Sequence, residues 1–586
     1  MVVAGVELGL SGPAVRREPG TAADLPSRPW TVAPPAPAAL VASLTDLHAV
    51  AVQVLHTRGL TTAGAIRAFL TQDALHDPNI LLGMDRAVAR LQRAITAGEL
   101  IAAHGDFDVD GVTATAVLFE GLTAAGARVV TYIPVRAATG YGLHASAVEE
   151  LAARGVTLIV TGDTGTRAID AVQRAAELGV DVIVTDHHLP GDVLPAAIAL
   201  VNPHQPACPY PFKDLSGVGV AWKLISALSH TVPLQGLAAE DLLDFVALGT
   251  IADVSPLIGE NRWLVQRGLK RLARSARTGI RALLAHATRD GGASLDERTV
   301  AFTLGPRLNA AGRMDRADLA LELLLTTDDA RALEIVRLLE EANHRRQQLT
   351  EQVLAAAREQ AVLLAHQPLL VIRGQDWPAG VLGLVASRLS EEYGRPALIV
   401  DVGPEACRGS ARCGAGIDLV QLLSGCADLL IEFGGHAQAA GFALIPANLD
   451  AFAERLVAAC AGRPDPTAQP VIADHRLAET DLDWPLYNAL RSLHPFGHAN
   501  PAPLFLSERI RLLEARSVGA GSKHLRLRLR FGRQTLTAFG PNLGEHAATL
   551  IGVSAIDALY CLESSTWNGT HSLELRLQDV RPATDA

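Results

Sequence analysis

Between residues 100 and 201, short apolar runs alternate with longer stretches whose apolar positions recur at helical spacing. The runs are LIAA (100–103), VVTYI (129–133), LIVT (158–161), VIVT (182–185) and IALV (198–201). Short apolar runs of this kind predict buried strands, and the stretches 111–125, 144–154 and 166–178 predict helices between them. Strands joined by helices predict an α/β fold with a doubly wound, mostly parallel sheet. From about 240 to 330 the pattern is helical with loops. Residues 331–366 keep apolar positions at helical spacing without Gly or Pro, which predicts one long connector helix. Strand–helix alternation returns over 367–466 in PLLVIRG, VLGLVASRLSEEY and PALIVDV, predicting a second α/β domain. Beyond 467 the pattern has period two: LRLRLRFGRQTLTAFG (525–540) alternates around a Gly turn, followed by IDALYCLE and SLELRLQDV. Several short strands at this spacing predict a small β-barrel or sandwich over 467–586. Residues 1–45, with APPAPAA at 33–39, read as a flexible tail, and 46–330 as one domain opening with short helices.

Composition narrows the class. Hydrophobic residues make up 49% and charged residues 19%, so the bulk is globular, while only 4% aromatics and abundant Ala, Val and Leu favour helix-rich α/β architecture. Six cysteines without a CxxC pair argue against a zinc cluster or disulfide framework and point to a reducing cytoplasm. No secretory signal and no uninterrupted apolar run long enough for a membrane span is visible. The net charge of −11 argues against indiscriminate coating of nucleic acid, but leaves room for a local basic groove.

The candidate chemistry sits where the predicted strands end. The first strand runs into HGDFDVDG (104–111), which packs His104, Asp106, Asp108 and Asp110 into seven residues. The third ends at Asp163 in TGDTG, and the fourth at Asp186–His187–His188. Ligands of open α/β sheets bind at this carboxyl edge. Any one of these residues alone reads as a helix cap or a structural histidine. Together, so many acids and imidazoles repel one another or compete for protons unless a cation sits among them. Asp253, in ALGTIADVSPL, is a further candidate beyond the sheet. Carboxylate with imidazole suits Mn²⁺, with Mg²⁺ or Zn²⁺ possible. So many ligands over-fill one ion, which points to two ions roughly 3.5–4 Å apart and phosphoester hydrolysis.

At these residues the sequence resembles the DHH phosphoesterase superfamily, named for the triplet found here as Asp186–His187–His188. Within it, the chain is similar to the bacterial single-stranded-DNA-specific exonucleases. HGDFDVDG, TGDTG, TDHH and GTIADVSPL with ENR (260–262) resemble four successive motifs, and LGPRLNAAGRMD (304–315) a fifth segment. WPAGVLGLVASRL (377–389), GSARC (409–413) and GGHAQAAG (434–441) resemble the DHH-associated domain. PFGHANPAPLF (495–505) resembles the entrance to a C-terminal OB-fold. The resemblance implies metal ligation by Asp108, Asp110, Asp163, His187 and Asp253, with His104 as a further ligand. It casts Asp106 and His188 as catalytic residues that orient ligands or touch the scissile phosphate, and Asp186 as their support. It implies Mn²⁺ or Mg²⁺ as cofactor, and release of mononucleotides from a 5′ end in DNA repair and recombination.

Substrate contacts follow from residue chemistry. Gly434 and Gly435 let backbone N–H groups approach an anion, and Ser410, Arg412 and His436 can add charge and hydrogen bonds. Arg307, Asn309 and Arg313 suit phosphate and sugar contacts. Arg526, Arg528 and Arg530 share one strand face, with Phe531, Phe539 and Trp567 as candidate stacking platforms in an OB-like module. Two departures stand out: Thr164 replaces a usual Asn, and Cys413 a usual Ser. The expected partners are single-stranded DNA and, through it, a helicase or single-strand-binding protein. The chain is expected to be monomeric and away from membranes. Two other readings are a DHH phosphodiesterase for short oligonucleotides or cyclic dinucleotides, and a non-catalytic DHH scaffold. The first typically lacks an OB-like tail and the second loses metal ligands, whereas this chain keeps both.

Overall fold

A computed structural model describes residues 29–71, 75–134, 142–287, 295–313, 316–414, 416–461, 470–567 and 570–583. The first sheet has five strands, Leu100–Gly105, Arg128–Tyr132, Leu158–Gly162, Asp181–Thr185 and Ala199–Val201. All pairings are parallel, and the chain order across the sheet is second, first, third, fourth, fifth. The order reverses between the first and third strands, so helices leave their carboxyl ends on opposite faces and open a crevice there. Every residue of Leu158–Gly162 is buried, which is why this strand reads as a continuous apolar run rather than an alternating one.

Helix Asp329–Leu363 spans 35 residues, about 50 Å at the α-helical rise. Asp328 caps it by accepting from the backbone N–H groups of Ala330 and Arg331. Its apolar stripe changes partners along its length. Ala332, Ile335, Val336 and Leu339 belong to the core of the first α/β domain, whereas Val353, Leu354, Ala357 and Ala361 belong to a core with helix Ala379–Tyr393. One rigid rod thus carries both domains. The second sheet is mixed: Leu370–Gly374 and Ala397–Val402 pair in parallel, and Cys407–Arg412, Ala439–Leu444 and Leu430–His436 follow antiparallel.

The C-terminal region is a closed barrel. Strands Phe505–Val518, His524–Phe531, Gln534–Gly540, Thr570–Pro582 and Ala555–Trp567 pair in that order, and the last closes on the first. Leu525, Leu527, Leu529 and Phe531 point inward, and Arg526, Arg528 and Arg530 are exposed. Phe531 shares the parity of the leucines and cannot serve as a stacking platform, whereas Phe539 is 37% exposed. The Trp567 side chain lies outside the described residues.

The N-terminal region departs from expectation. Residues 1–28 lie outside the described residues, but within the expected tail Trp30–Val32 pairs in parallel with Val471–Ala473, and Ala38–Ala42 is helical. The helices Ala49–Thr57 and Ala63–Leu70 pack not with the first sheet but with the barrel: Leu40, Val52, Val54, Leu55 and Ile66 share one core with Leu486, Phe505, Leu527 and Tyr560. Helix Ala49–Thr57 buries six consecutive residues, Val50–Leu55, more than a surface helix on one partner would cover.

Candidate metal centre and substrate cleft

Asp108 caps helix Val109–Ala124 and accepts from the Gly111 N–H at 3.0 Å. The capping and ligand readings of this residue are therefore compatible. Asp110, in the first turn of that helix, is buried and accepts from the N–H groups of Gly217 (2.7 Å) and Val218 (2.9 Å) at the start of helix Gly217–Ser229. A helix N-terminus favours a carboxylate placed in this way. Asp163 follows its strand with a left-handed φ of 63°, a conformation that Asp tolerates better than most side chains. Its Oδ1 lies 3.0 Å from His187 Nε2, which is 3.8 Å from Asp110 Oδ2. Asp253, at the end of helix Leu243–Ala252, is held by the Ser255 hydroxyl.

Two glycines make this crowding possible. A Cβ on Gly217 would stand 2.5 Å from Asp163 Oδ1, and one on Gly249 would stand 2.7 Å from Asp110 Oδ1. Sequence reasoning misses both residues, although the GVGV run behind the capping Ser216 is a visible signal.

Asp186 is the organiser of the triplet. One carboxylate oxygen accepts from the Thr166 N–H, and the other from the N–H groups of His187 and His188 and from His188 Nδ1 at 2.8 Å. Burial alone would raise its pKa, but the His188 hydrogen bond and the charges of both histidines hold it well below the usual carboxylate range. His188 responds in kind. Burial works against its charge, yet the Asp186 hydrogen bond and the charges of Asp186 and Asp163 push it up to about 9. Asn202 braces the same histidine by donating to its carbonyl oxygen. Asp110 is raised to about 7 by burial and by the nearby charge of Asp253, and burial with the charges of Asp110 and Asp108 raises Asp163 as well. Asp108 is raised by burial and Asp253. For His187, burial lowers the pKa, but Asp253, Asp110 and Asp186 outweigh it.

Such a cluster asks for positive charge, and its donors suit a divalent cation. Asp163, His187 and His188 offer ligand atoms within 4.8 Å of one another, and so do Asp110, His187 and Asp253. The two triples share His187, an arrangement that fits two neighbouring ions with carboxylate and imidazole ligands. Asp108 and His104 fall in neither triple. His104 is fully buried behind them and stacked on Tyr132 with ring centroids 5.4 Å apart. Neither of its ring nitrogens has a hydrogen-bond partner among the described residues. Burial lowers its pKa to about 4, so it is neutral and able to ligate. Asp106 is likewise fully buried.

The second α/β domain meets this edge. The His436 ring stacks on His188 at 5.7 Å, and a cavity of about 920 Å³ runs beside them, lined by Gly142, Thr164, Arg167, Asp186, Gly434 and Gly435 among others. Thr164 stands in its wall. Arg412 donates to the Ser410 hydroxyl and the Ala411 carbonyl oxygen. Cys413 donates to the carbonyl oxygens of Ile417 and Ala437, and burial pushes its thiol up to about 11. It buttresses the GGHAQAAG turn as a neutral thiol. Three expected contacts are engaged in holding the fold. Arg307 pairs with Glu340 of the long helix, Arg313 donates to the Gly380 carbonyl oxygen, and Asn309 accepts from the Val109 N–H at 3.1 Å. Asn309 thus positions the first acidic motif through its Oδ1.

Parallel sheet, acidic strand ends and the Asp–His–His triplet define a DHH-type phosphoesterase. Residues 100–250 match the DHH family N-terminal domain, 366–462 the DHHA1 domain and 473–579 the RecJ OB domain. The chain belongs to the RecJ family. It is 37% identical over 567 residues to the single-stranded-DNA-specific exonuclease RecJ of Bacillus subtilis, covering 92% of this chain and 69% of that one. Its structure is similar to that of RecJ from Thermus thermophilus in complex with Mn²⁺ (TM-score 0.81, 34% identity, 95% and 80% of the two chains) and with Mg²⁺ (TM-score 0.75, 32% identity, 95% and 79%).

Proposed function

We infer that this protein is a Mn²⁺- or Mg²⁺-dependent exonuclease specific for single-stranded DNA, and we propose that it works from the 5′ end and releases mononucleotides. The observation that carries the reading is the pair of ligand triples sharing His187 at the crevice of the first sheet. Asp110, Asp163, His187 and Asp253 would hold the ions, with Asp108, His188 and His104 completing the surroundings. Divalent cations there supply Lewis-acid polarisation of a phosphoryl oxygen and a water of lowered pKa.

The chain's own residues do the rest. Asp186 fixes the orientation of the His188 ring through Nδ1 and holds it beside Asp163, where it can steady the ion site or meet a phosphate oxygen. His436 and Arg167 border the same cavity and extend its capacity for anions, which favours a terminal phosphate there and 5′ polarity. The long helix holds the two α/β domains so that a strand passes between them. The barrel's arginine face supports binding of the strand's more distant part. No helix among the described residues is long and apolar enough to cross a membrane. The reading places a monomeric protein in the cytoplasm, in DNA repair and recombination, where a helicase or a single-strand-binding protein would expose or present its substrate.

The test is product analysis on single strands labelled at either end, with Mn²⁺, with Mg²⁺ and in chelator. Mononucleotides should leave a 5′-labelled strand first, and chelator should abolish release. Early loss of a 3′ label would overturn the polarity, and full activity in chelator would overturn the metal centre.

A further inference from the structure

Asp253 sits next to a strained residue that another domain holds in place. Val254 has a φ of 62°, a left-handed conformation that a β-branched side chain rarely adopts. Such strain persists only where the surroundings over-determine it. The surroundings here come from the segment leading into the barrel. His498 Nδ1 lies 3.1 Å from the Val254 carbonyl oxygen, and the His498 carbonyl oxygen accepts from the Leu257 N–H at 2.8 Å. One residue thus brackets the turn Asp253–Leu257 at both ends. Inside the bracket, Ser255 holds the Asp253 carboxylate.

The bracket is itself firmly mounted. Gly497 and Asn500 exchange backbone hydrogen bonds, and Asn500 Nδ2 donates to the carbonyl oxygens of Leu493 and Pro495. Arg58, from the helical region packed on the barrel, donates to the Asn500 side chain. Phe496 N–H donates to Glu297, which also pairs with His494 at 2.8 Å. Gly497 lets Leu257 approach: a Cβ there would stand 2.7 Å from Leu257 Cδ1. Ala499, next to His498, is a second non-glycine residue at positive φ (59°).

We propose that His498 is a positioning residue for the metal centre. By donating from Nδ1 to the Val254 carbonyl, it holds the strained turn that aims the Asp253 carboxylate, and it makes the C-terminal region part of the metal site. This rests on the reading of Asp253 as a metal ligand. Groups that orient ligands in this way typically carry about 10- to 100-fold in metal affinity.

The experiment measures Mn²⁺ binding to the full chain by electron paramagnetic resonance and calorimetry, alongside kcat and KM on a long single strand. His498→Asn keeps a donor near the Nδ1 position, whereas His498→Gln and His498→Ala remove it. The expected result is Mn²⁺ affinity reduced by about 10-fold or more in His498→Gln and His498→Ala, largely restored in His498→Asn. In the two weakened variants kcat at limiting Mn²⁺ should fall while KM for the strand stays near the parent value. If His498→Ala does not fold, the Asn–Gln pair decides. Parent-like Mn²⁺ affinity in His498→Gln would overturn the proposal, as would a change confined to KM, which would mean that His498 only seats the barrel. Failure of the parent protein itself to bind Mn²⁺ would instead overturn the metal-ligand reading of Asp253.

Discussion

The carboxyl edge of the first sheet and the outer face of the barrel both gather charge, but under opposite physics. At the sheet edge Asp110, Asp163 and Asp186 are buried, each with its protonation altered by its neighbours. On the barrel Arg526, Arg528 and Arg530 stand in solvent on alternate positions of one strand, opposite Arg516, Glu514 and Arg511. Buried charges must be matched in place, so each member constrains the others. Exposed charges are screened and loosely coupled, so each adds a small independent term. On the proposed reading, chemistry belongs to the first region and graded strand affinity to the second.

The sharpest way to break this contrast is at the sheet edge. Asp163→Ala or Asp253→Ala should lower kcat by on the order of 10³, with single-strand affinity mostly retained, because ligand loss damages charge stabilisation more than remote binding. Single-turnover kinetics with a parallel binding titration checks this, and near-parental turnover in either variant would remove that residue from the centre. On the barrel the triple change Arg526→Ala, Arg528→Ala and Arg530→Ala should raise KM for long strands about 10-fold. It should also reduce the salt slope of binding by roughly one per lost phosphate contact. A dinucleotide substrate should be unaffected, and an unchanged salt slope would reduce the arginine face to a solvated surface. Substitution is preferable to deletion, because removing the barrel would expose the N-terminal helices that share its core.

Smaller still is the effect expected at the meeting of the two α/β domains. His436→Ala should reduce the preference for a 5′-phosphorylated over a 5′-hydroxyl end by a few-fold, roughly the net value of one ordinary hydrogen bond. Identical loss on both ends would place His436 outside phosphate recognition. The smallest effect is thermal. Asp110, raised to about 7, and His188, raised to about 9, hold protons in the native cation-free protein that the unfolded chain has already released. Stability tied to those protons is present at lower pH and lost as pH rises through 7 to 9. In chelator Tm should therefore fall between about pH 6 and 8.5, and the rise in Tm on adding Mn²⁺ should be larger at about pH 8.5. A flat Tm in chelator would mean that the cluster keeps its protons unchanged across this range.

Much of this architecture is legible in the sequence because it is local. The five strands of the first sheet read as apolar runs since parallel strands are buried on both faces, and Asp108, Asp163 and the Asp186 triplet mark their ends. Asp253 reads from the residues only as a candidate beyond the sheet, and the resemblance alone ties it to the strand ends, because nothing in its own surroundings points back to a sheet that ended well before it. Arg307 and Asn309 read as substrate contacts because their types suit phosphate and sugar. The partners that claim them, Glu340 and the Val109 N–H, come from distant segments. The inward position of Phe531 is open to a closer reading of the sequence, since it follows the parity of Leu525, Leu527 and Leu529. The helices at 49–70 cannot be assigned to the barrel in that way, because helical periodicity reports that a face is buried and not what buries it.

That shared core has a consequence for how the molecule comes into being. Gln53 donates to the carbonyl oxygen of Asp474, a partner 421 residues further along the chain. At ~5–20 residues per second of synthesis, roughly 20–80 s pass between the emergence of the first segment and the arrival of the second. During that interval Val52, Val54, Leu55 and Ile66 have no barrel to pack against, while the first α/β domain between them can complete its own core. The nascent chain therefore carries an uncovered apolar segment ahead of that domain. Chaperone occupancy on translating ribosomes should concentrate on this segment and disappear once the barrel strands have left the exit tunnel.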